Sequence, residues 1–398
     1  MASKKANGWF TASTLSGESS ITNCWSICRG SAKLLDVEGT PKRAHKLLFD
    51  DADCLDIKSL DLPSLEKWVV EELGEKKFRA RQVYKWIWQK QVASFDEMTN
   101  VAKTLRAVLK ERAIIRWLVL EKAQHSVDGC RKFLWRLEDG LFIESVLIPE
   151  EARLTLCISS QVGCAMGCTF CLTGHMGLKR QLKPSEIVNQ VIQVQSHLPE
   201  EMRITNLVLM GMGEPLHNLS NVVSALAICL DDHALNFSHR KITVSTAGLV
   251  PKMAELAAAL PVNLAVSLNA TTEEQRREIM PITNKYSLKA LLDACREFPL
   301  PAGKRITFEY VLFDDFNDSL DDARRLYSML KGIKAKVNLI PYNANPDTPR
   351  EFGAPTAERV KAFQNYFVQR QLNCTVRASR GTDISAACGQ LGAQADKA

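Results

Sequence analysis

Residues 155–171, TLCISSQVGCAMGCTFC, carry the strongest structural signal in the sequence. The strand-like run LTLCIS ends at Ser159, and the loop after it carries three cysteines in C-x3-C-x2-C spacing, Cys164, Cys168 and Cys171. Three thiolates on one loop can each ligate one iron of a cubane cluster, which leaves the fourth iron without a protein ligand. An open iron can chelate a small molecule and pass it an electron, so the spacing predicts a reactive [4Fe–4S] site.

Further strand-like runs follow this loop and alternate with helical patterns. Together with LTLCIS they are NLVLMGMG, KITVSTAG, NLAVSLNA, RITFEYVLF and KVNLIPYN. Near-continuous apolar runs are typical of parallel strands that are covered on both faces, so residues 153–398 are predicted to form an α/β barrel, partial or full, of about six repeats. In such a fold the chemistry lies at the carboxyl ends of the strands.

The same three cysteines also fit a structural zinc site. His175 follows Cys171 by four residues and would complete a Cys3His set. Structural zinc usually sits in a small independent module, whereas this loop opens a predicted barrel, where cofactors bind. We therefore favour an iron–sulfur cluster whose open iron chelates the amino and carboxylate groups of S-adenosylmethionine, and we expect His175 to be an ordinary loop residue.

Length and composition indicate a soluble protein with more than one domain. The chain has 398 residues, so we expect a large catalytic domain and a smaller accessory domain. Apolar residues make up 46% and charged residues 24%, and no apolar run approaches the roughly eighteen residues that a membrane span needs. Apart from the one cluster, the twelve cysteines are scattered singly, which indicates a reducing compartment.

Residues 1–50 are predicted to be an N-terminal extension. They are rich in Ser and small residues, Glu18 is the one acid in the first thirty positions, and no segment resembles a signal peptide. A disordered tail and an organelle transit peptide both fit, and we favour the tail because basic residues are sparse. No role is assigned to Cys24 and Cys28 in this extension.

Residues 51–120 are predicted to form a helical accessory domain. Asp61 and Pro63 open a helical pattern that Gly74 closes, and two more patterns cover 80–91 and 101–112. Residues 121–152 are predicted to form a β-hairpin linker to the barrel, because two β-rich runs surround an Asp139–Gly140 turn.

Positive charge is concentrated in the predicted helical domain. Between positions 74 and 116 there are eleven Lys or Arg against four acids, a surplus larger than the net charge of +6 of the whole chain. This concentration favours a polyanion such as RNA as partner. The interleaved aromatic side chains could stack on bases, but we favour core positions on an amphipathic helix for Phe78, Tyr84, Trp86 and Trp88.

Several separated motifs narrow the assignment. They are TLCISSQVGCAMGCTFC, MGMGEPLHN, VSTAG, VSLNA, NLIPYN and RGTDISAACGQL. With these motifs in this order, the chain resembles the RlmN-type methyltransferases of the radical S-adenosylmethionine (SAM) superfamily from about residue 60 to residue 391. The resemblance implies a partial (β/α)6 radical SAM barrel preceded by a helical domain and a hairpin. It also implies methylation of C2 of a specific adenine in 23S rRNA and of the adenine 3′ to the anticodon in tRNA.

Polar residues and glycines at successive strand ends are the candidate SAM-binding residues. By resemblance to the family, they are Gly213, Glu214, Ser245, Ser267, Leu268, Asn269 and Asn343. Glycine lets the backbone approach a ligand, and Glu214 can accept a hydrogen bond from the ammonium group of the cofactor. The family commonly has His where this chain has Asn269, which keeps hydrogen-bonding capacity.

Three further residues are candidates for catalysis. Adenine C2 is electron-poor and carries no acidic proton, so a carbon radical is needed to methylate it. The resemblance implies that Cys388 accepts a methyl group, that its methylene radical adds to the base, and that Cys157 resolves the adduct through a transient disulfide. Glu144 matches the family position of the base that removes the C2 proton.

Two other functions remain open on the sequence alone. A Cfr-type enzyme methylates adenine C8 with the same apparatus, and a non-catalytic RNA-binding protein stabilised by zinc belongs to a different class. The reductive step implies a flavodoxin-like electron donor. We further expect a monomer, no membrane association, and a location in the cytoplasm or, if the extension is a transit peptide, in an organelle.

Overall fold

The structure, a computed structural model, describes residues 54–300, 303–344 and 352–392. The predictions for the N-terminal extension, including Cys24 and Cys28, lie outside the described residues. No helix in the described ranges is long and apolar enough to cross a membrane.

Helices dominate the first part of the described chain. Its elements are β1 (Leu55–Asp56), α1 (Leu62–Glu71), α2 (Lys77–Trp88), α3 (Lys103–Arg112) and β2 (Ala113–Ile114). Asp61 caps α1 by accepting a hydrogen bond from the Ser64 N–H at 3.0 Å, and Gly74 follows with a φ of 64°, as the sequence predicts. α2 begins and ends three residues earlier than the predicted pattern 80–91.

The apolar face of α2 explains most of its aromatic residues. Tyr84 and Trp88 are fully buried, and their rings meet edge to face with centroids 6.1 Å apart. Trp86 is half-buried and donates to the Asn100 side chain at 2.5 Å. Only Phe78 among the aromatic residues of this helix is exposed, with 49% of its surface accessible. The preference for core positions is therefore confirmed for Tyr84 and Trp88 but is wrong for Phe78.

Antiparallel strands connect this helical part to the barrel. They are β3 (Val119–His125), β4 (Arg131–Arg136), β5 (Phe142–Glu150) and β6 (Arg153–Cys157). β4 and β5 form the predicted hairpin, and Gly140 adopts a φ of 79° in its turn. The sequence did not predict β3, because none of its residues is buried and the apolar alternation that marks a half-buried strand is missing.

Strands and helices then alternate through the rest of the chain. They are β7 (Gln161–Val162), α4 (Leu172–His175), β8 (Arg180–Gln181), α5 (Pro184–Ser196), β9 (Asn206–Leu209), α6 (Leu219–Leu230), β10 (Ile242–Thr246), α7 (Val250–Ala259), β11 (Asn263–Ser267), α8 (Glu273–Ile279), α9 (Leu288–Glu297), β12 (Ile306–Leu312), α10 (Leu320–Met329), β13 (Ala335–Pro341), α11 (Ala357–Val368) and β14 (Cys374–Val376).

One ten-stranded sheet unites the linker and the barrel. Its order is β14-β13-β12-β11-β10-β9-β6-β5-β4-β3, and the seven strands from β14 to β6 are parallel. Six of these seven are the predicted runs; β14, three residues long, is too short to be recognised from its pattern. β14 and β3 are the two ends of the sheet, so the barrel is partial, as predicted.

A buried hydrogen-bond network fixes the linker hairpin onto the barrel. The Trp135 indole donates to Ser145 Oγ at 3.1 Å, and that hydroxyl donates to Gln190 of α5 at 2.9 Å. Gln190 also accepts the Ser159 N–H at 2.8 Å, and Ser159 Oγ donates to the Glu144 carbonyl at 2.6 Å. The backbone of Glu144 is thereby held against the strand that leads into the cysteine loop.

Candidate active site

Two adjoining cavities open at the carboxyl ends of the parallel strands. Cys157, at the end of β6, lines the first cavity together with Asn343. The second cavity is lined by two cysteines of the cysteine loop, Cys164 and Cys168. It is also lined by most of the predicted SAM-binding residues, Gly213, Glu214, Ser245, Ser267 and Asn269. Cys171, Arg377 and Cys388 line both cavities. The structure therefore brings the predicted cluster ligands and both predicted working thiols to one place.

The cysteine loop is shaped by glycine. Gly163 has a φ of 72°, and a Cβ there would run into the carbonyl of Gly177, so a side chain at this position would displace the loop. Burial raises the pKa of the Cys164 thiol to about 12 and also raises that of Cys171. Without a metal, these thiols are therefore protonated at neutral pH, and ligation must displace their protons.

The spacing of the three sulfurs does not fit zinc. Within the described ranges, the one trio of ligand atoms that all lie within 4.8 Å of one another belongs to Asp231, Asp232 and His233. A tetrahedral zinc with Zn–S bonds of about 2.3 Å would hold its sulfurs roughly 3.8 Å apart. At least one pair of the Cys164, Cys168 and Cys171 sulfurs is therefore more than 4.8 Å apart, wider than a tetrahedral zinc requires. His175 is exposed, and its ring contacts the Thr169 carbonyl at 3.0 Å.

The turn after β9 presents Gly213 and Glu214 to the second cavity. Gly213 has a φ of 101°, and a Cβ there would collide with the Gln161 side chain. Glu214 is buried and accepts the Ala247 N–H at 2.7 Å and the Leu216 N–H at 3.0 Å. Burial raises the pKa of Glu214 to about 7, although these donors lower it. A cationic ammonium group beside it would favour the carboxylate form.

The residues at the end of β11 differ in whether they line the second cavity. Ser267 and Asn269 line it, whereas Leu268, whose side chain is fully buried, lines neither of the two cavities. Asn269 has a φ of 57°, a left-handed conformation that Asn tolerates better than most residues. Its side-chain oxygen accepts the Val311 N–H at 2.9 Å, and its amide nitrogen lies 3.3 Å from the Met280 sulfur. The amide therefore has a structural task in addition to facing the cavity.

Cys388 lies on a C-terminal segment, residues 381–392, that packs across the barrel mouth. The thiol-bearing residue is exposed, and its neighbour Gly389 accepts the Leu172 N–H at 2.8 Å through its carbonyl. The Thr173 hydroxyl donates to the Leu391 carbonyl at 2.5 Å. These contacts tie the segment directly to the helix that follows the cysteine loop.

Glu144 does not line either cavity in the described chain. Its carboxylate faces the Lys132 ammonium at 3.0 Å, and the two side chains are only 6% and 10% exposed. The Glu144 carboxylate also accepts the Gly392 N–H at 2.9 Å. Glu144 is thus placed at the C-terminal segment, beside the Cys388 side of the site.

Comparisons with known proteins agree over most of the chain. Residues 55–115 match the family described as ribosomal RNA large subunit methyltransferase N-terminal domain, and residues 158–327 match the radical SAM superfamily. The chain is 53% identical over 344 residues to the dual-specificity RNA methyltransferase RlmN of Pelobacter propionicus, covering 86% of this chain and 97% of that protein. It is also 53% identical to the protein of that name in Geobacter sulfurreducens, covering 86% of this chain and 93% of that one.

The chain belongs to the RlmN family. A crystal structure of a radical SAM methyltransferase from Sphaerobacter thermophilus superposes with a TM-score of 0.78 at 41% identity, over 85% of this chain and all of that one. RlmN proteins are radical SAM enzymes, which carry a [4Fe–4S] cluster and SAM, so both cofactors are assigned to this chain. The comparisons support this family over the Cfr-type enzyme and over a non-catalytic zinc protein.

Sequence reasoning missed two charged residues of this RlmN site. Arg377 follows β14, and its guanidinium reaches the Met210 sulfur at 3.9 Å, beside Cys157 and Cys388. Glu309 on β12 is buried in the second cavity, and its Oε2 has no hydrogen-bond partner within the described structure. A buried carboxylate oxygen without a donor fits a cavity that takes a polar ligand such as SAM.

A third missed residue holds the strand ends together. The Arg276 guanidinium is buried and donates to the Ala247 carbonyl at 2.6 Å and to the Ser267 and Leu268 carbonyls at 3.1 Å. It therefore joins the ends of β10 and β11. A buried arginine is hard to assign from sequence, because it occupies a helix position where a solvated charge is the usual expectation.

Proposed function

We propose that this chain methylates C2 of a specific adenine in 23S rRNA and of the adenine 3′ to the anticodon in tRNA. The observation that carries the proposal is the convergence of Cys388, Cys157 and the cysteine loop on adjoining cavities. These residues come from opposite ends of the barrel sequence, so packing alone does not require them to meet. The curated relatives quoted above are named dual-specificity RNA methyltransferases.

We propose that Cys164, Cys168 and Cys171 hold the cluster and that the polar strand ends hold SAM. When bound, SAM supplies a methyl group in one event and a hydrogen-abstracting radical in another. Glu214 would face the ammonium group, because it is buried and its raised pKa leaves it ready to gain from a neighbouring cation. The other SAM-binding residues would be Gly213, Ser245, Ser267, Leu268, Asn269 and Asn343, with Leu268 limited to its backbone because its side chain is buried.

The chain's own residues then carry the methyl group and release the product. Cys388, exposed at the barrel mouth, is proposed to receive the methyl group and to form a methylene bridge to adenine. Glu144 is proposed to remove the C2 proton, and the unpaired electron left on the base returns to the one-electron carrier that started the reaction, so the bridged adduct is closed-shell. The Cys157 thiolate would attack the Cys388 sulfur, which forms an S–S bond and breaks the C–S bond of the bridge. The electron pair stays with the methylene carbon, which takes a proton and becomes methyl, and an external thiol reductant restores the two cysteines.

The remaining proposals concern domains, partners and location. We propose that residues 51–120 form a domain that contacts RNA, that residues 121–152 link this domain to the barrel, and that residues 153–398 form the catalytic barrel. The two family matches fall within the first and last of these ranges. A flavodoxin-like protein would donate the electron. We also propose a monomer in the cytoplasm, with an organelle as the alternative.

Mass spectrometry of RNA tests the proposed function. Reconstituted protein is incubated with unmodified 23S rRNA fragments and tRNA in the presence of SAM and a reductant. We expect 2-methyladenosine in both RNAs. A product methylated at C8, or no methylated adenine with a fully loaded cluster, would contradict the proposal.

A further inference from the structure

The Lys132–Glu144 ion pair contacts both ends of the stretch that carries Cys388. The Lys132 ammonium, 3.0 Å from the Glu144 carboxylate, also donates to the Ser385 carbonyl at 3.2 Å. Glu144 in turn accepts the Gly392 N–H at 2.9 Å. Ser385 lies three residues before Cys388 and Gly392 four residues after it. One buried pair therefore brackets the proposed methyl carrier.

The strand register places this pair rigidly. Lys132 lies opposite Val146, and Leu134 lies opposite Glu144, so Lys132 and Glu144 are diagonal neighbours on one face of the hairpin. Ser145, on the other face, is bonded to α5. Because the opposite face is fixed to the barrel, the backbone that carries both charged side chains is held in place beside the C-terminal segment.

The segment needs such ties to keep its conformation. Ser385 has a φ of 51°, a left-handed conformation that costs a non-glycine residue roughly 1 kcal/mol. Gly381 and Gly389 also have positive φ, at 65° and 85°. Strained backbone of this kind persists where surrounding contacts hold it, and the bond from Lys132 to the Ser385 carbonyl is one of them.

We propose that Lys132 is a positioning residue for the proton-removal step. Its ammonium, 3.0 Å from the carboxylate, holds Glu144 in place, and it ties the Cys388 segment to the same spot through the Ser385 carbonyl. The inference rests on the proposed role of Glu144 as the base. A buried carboxylate without a cation is strongly disfavoured, so the charge on Lys132 is what allows a buried base here.

Proton transfer also has a consequence for the segment. When Glu144 takes the C2 proton it becomes neutral, and Lys132 is left as a buried cation without its counter-charge. The proton is therefore passed on, to the methylene carbon that takes a proton when the C–S bond breaks. In the interval, the Gly392 N–H faces a neutral acid and is held less strongly, which frees the Cys388 segment for the thiol exchange.

Two substitutions separate charge from hydrogen bonding at Lys132. Lys132→Gln keeps a donor for Glu144 and Ser385 but removes the charge, whereas Lys132→Arg keeps both. Turnover is measured on RNA carrying hydrogen or deuterium at C2 of the target adenine. For Lys132→Gln we expect turnover to fall roughly tenfold or more and the isotope effect to rise, because proton removal becomes the slow step. Lys132→Arg should retain turnover and the wild-type isotope effect.

Asp383→Asn is the matched control. Asp383 accepts from the Ser126 hydroxyl at 2.6 Å and from the Val127 N–H at 3.1 Å, so it anchors the same segment without contacting Glu144. This variant should leave the isotope effect unchanged even where it lowers turnover. The proposal is overturned if Lys132→Gln turns over like the wild type. It is also overturned if Lys132→Gln loses turnover but shows no larger isotope effect than Asp383→Asn.

A second measurement keeps this inference apart from the proposed function. Cys157→Ala is tested for a covalent protein–RNA adduct under the same conditions. If no adduct forms, the methylene route itself is wrong. If the adduct forms but Lys132→Gln behaves like the wild type, only the role of Lys132 fails. Iron content and thermal unfolding of each variant establish that it is folded and loaded.

Discussion

The pKa of the Cys157 thiol is shifted in opposite directions by its surroundings. Burial raises its pKa to about 12, and the nearby Cys388 raises it as well, whereas the Arg377 guanidinium lowers it. Because the thiolate is the nucleophile, only a small fraction of Cys157 is reactive at neutral pH. The nearby cation therefore matters most at the resolving step, when Cys157 must attack.

The two thiols should fail at different steps when they are replaced. Cys388→Ala should never acquire a methyl group and never attach to RNA, because the proposed carrier is gone. Cys157→Ala should be methylated at Cys388, form the bridge to adenine and stall there. A denaturing gel should show a nuclease-sensitive mass increase for Cys157→Ala alone. Normal turnover of Cys157→Ala, or crosslinking by Cys388→Ala, would refute the assigned roles.

The release step should depend on pH. Below the raised pKa of Cys157, the thiolate fraction grows about tenfold per pH unit, so decay of the bridged adduct in a single turnover should accelerate about a hundredfold from pH 7 to 9. Arg377→Met should slow the decay at each pH, because the cation that favours the thiolate is lost. Arg377→Lys is the control that keeps the charge. Adduct decay that is independent of pH would contradict the role of Cys157.

Among the helices, α2 has fewer unpaired basic side chains than its sequence suggests. Glu66 of α1 pairs with Lys77 at 3.0 Å and with Arg81 at 2.8 Å. Lys76, the residue just before α2, and Lys85 are exposed, and neither forms an ion pair within the described chain. The exposed Phe78 ring lies on the same helix, with the Arg79 guanidinium 4.7 Å from its centroid. The element therefore offers phosphate contacts and one stacking surface.

Two double variants of α2 should differ in their effect on RNA binding. Lys76→Gln with Lys85→Gln removes two unpaired charges and should reduce the slope of log affinity against log salt by roughly 1.5 to 2. Lys77→Gln with Arg81→Gln should reduce it less, because Glu66 already offsets part of that charge. Filter binding of tRNA over a salt series measures both slopes. Equal, unchanged slopes would show that α2 does not face RNA.

At the scale of the whole molecule, a buried lysine lies between the helical part and the barrel. Lys58 is fully buried, its ammonium has no hydrogen-bond partner within the described residues, and it stands 3.4 Å from the Trp117 ring centroid. Burial lowers its pKa well below the usual value, although Asp56 opposes the shift. The native state thus binds fewer protons at Lys58 than the unfolded chain does, so this group makes stability rise as pH rises toward about 10.4.

Replacing that lysine should stabilise the protein. Lys58→Met keeps a long apolar side chain and removes the cost of burying an ionisable amine, so the free energy of unfolding at pH 7 should rise by roughly 1 kcal/mol or more. The gain should shrink as the pH approaches 10, where the unfolded chain also loses the proton. Lys67→Met, at a side chain that is 72% exposed, is the control and should change little. Denaturant unfolding at pH 7 and pH 9.5 measures both, and a destabilised Lys58→Met would contradict the expectation.

Local sequence patterns are enough to predict the family, the barrel and the cysteine loop. The C-x3-C-x2-C spacing spans eight residues, and the strand runs are local patterns of apolar residues, so neither depends on distant contacts. The helix that Asp61 caps and the Gly140 turn were predictable for the same reason. Short strands such as β14, and strands without buried residues such as β3, were missed because they show no periodic pattern of buried apolar residues.

The pairing of charges at the site, in contrast, depends on contacts that form only when the chain folds. Lys132 and Ser385 are 253 positions apart, as are Asp128 and Gly381, and Glu144 and Gly392 are separated by 248. No local pattern encodes contacts over such distances. They arise because the C-terminal segment folds back over the mouth of the barrel onto the hairpin in front of it, and the burial created there turns an ordinary strand lysine into the partner of a buried carboxylate.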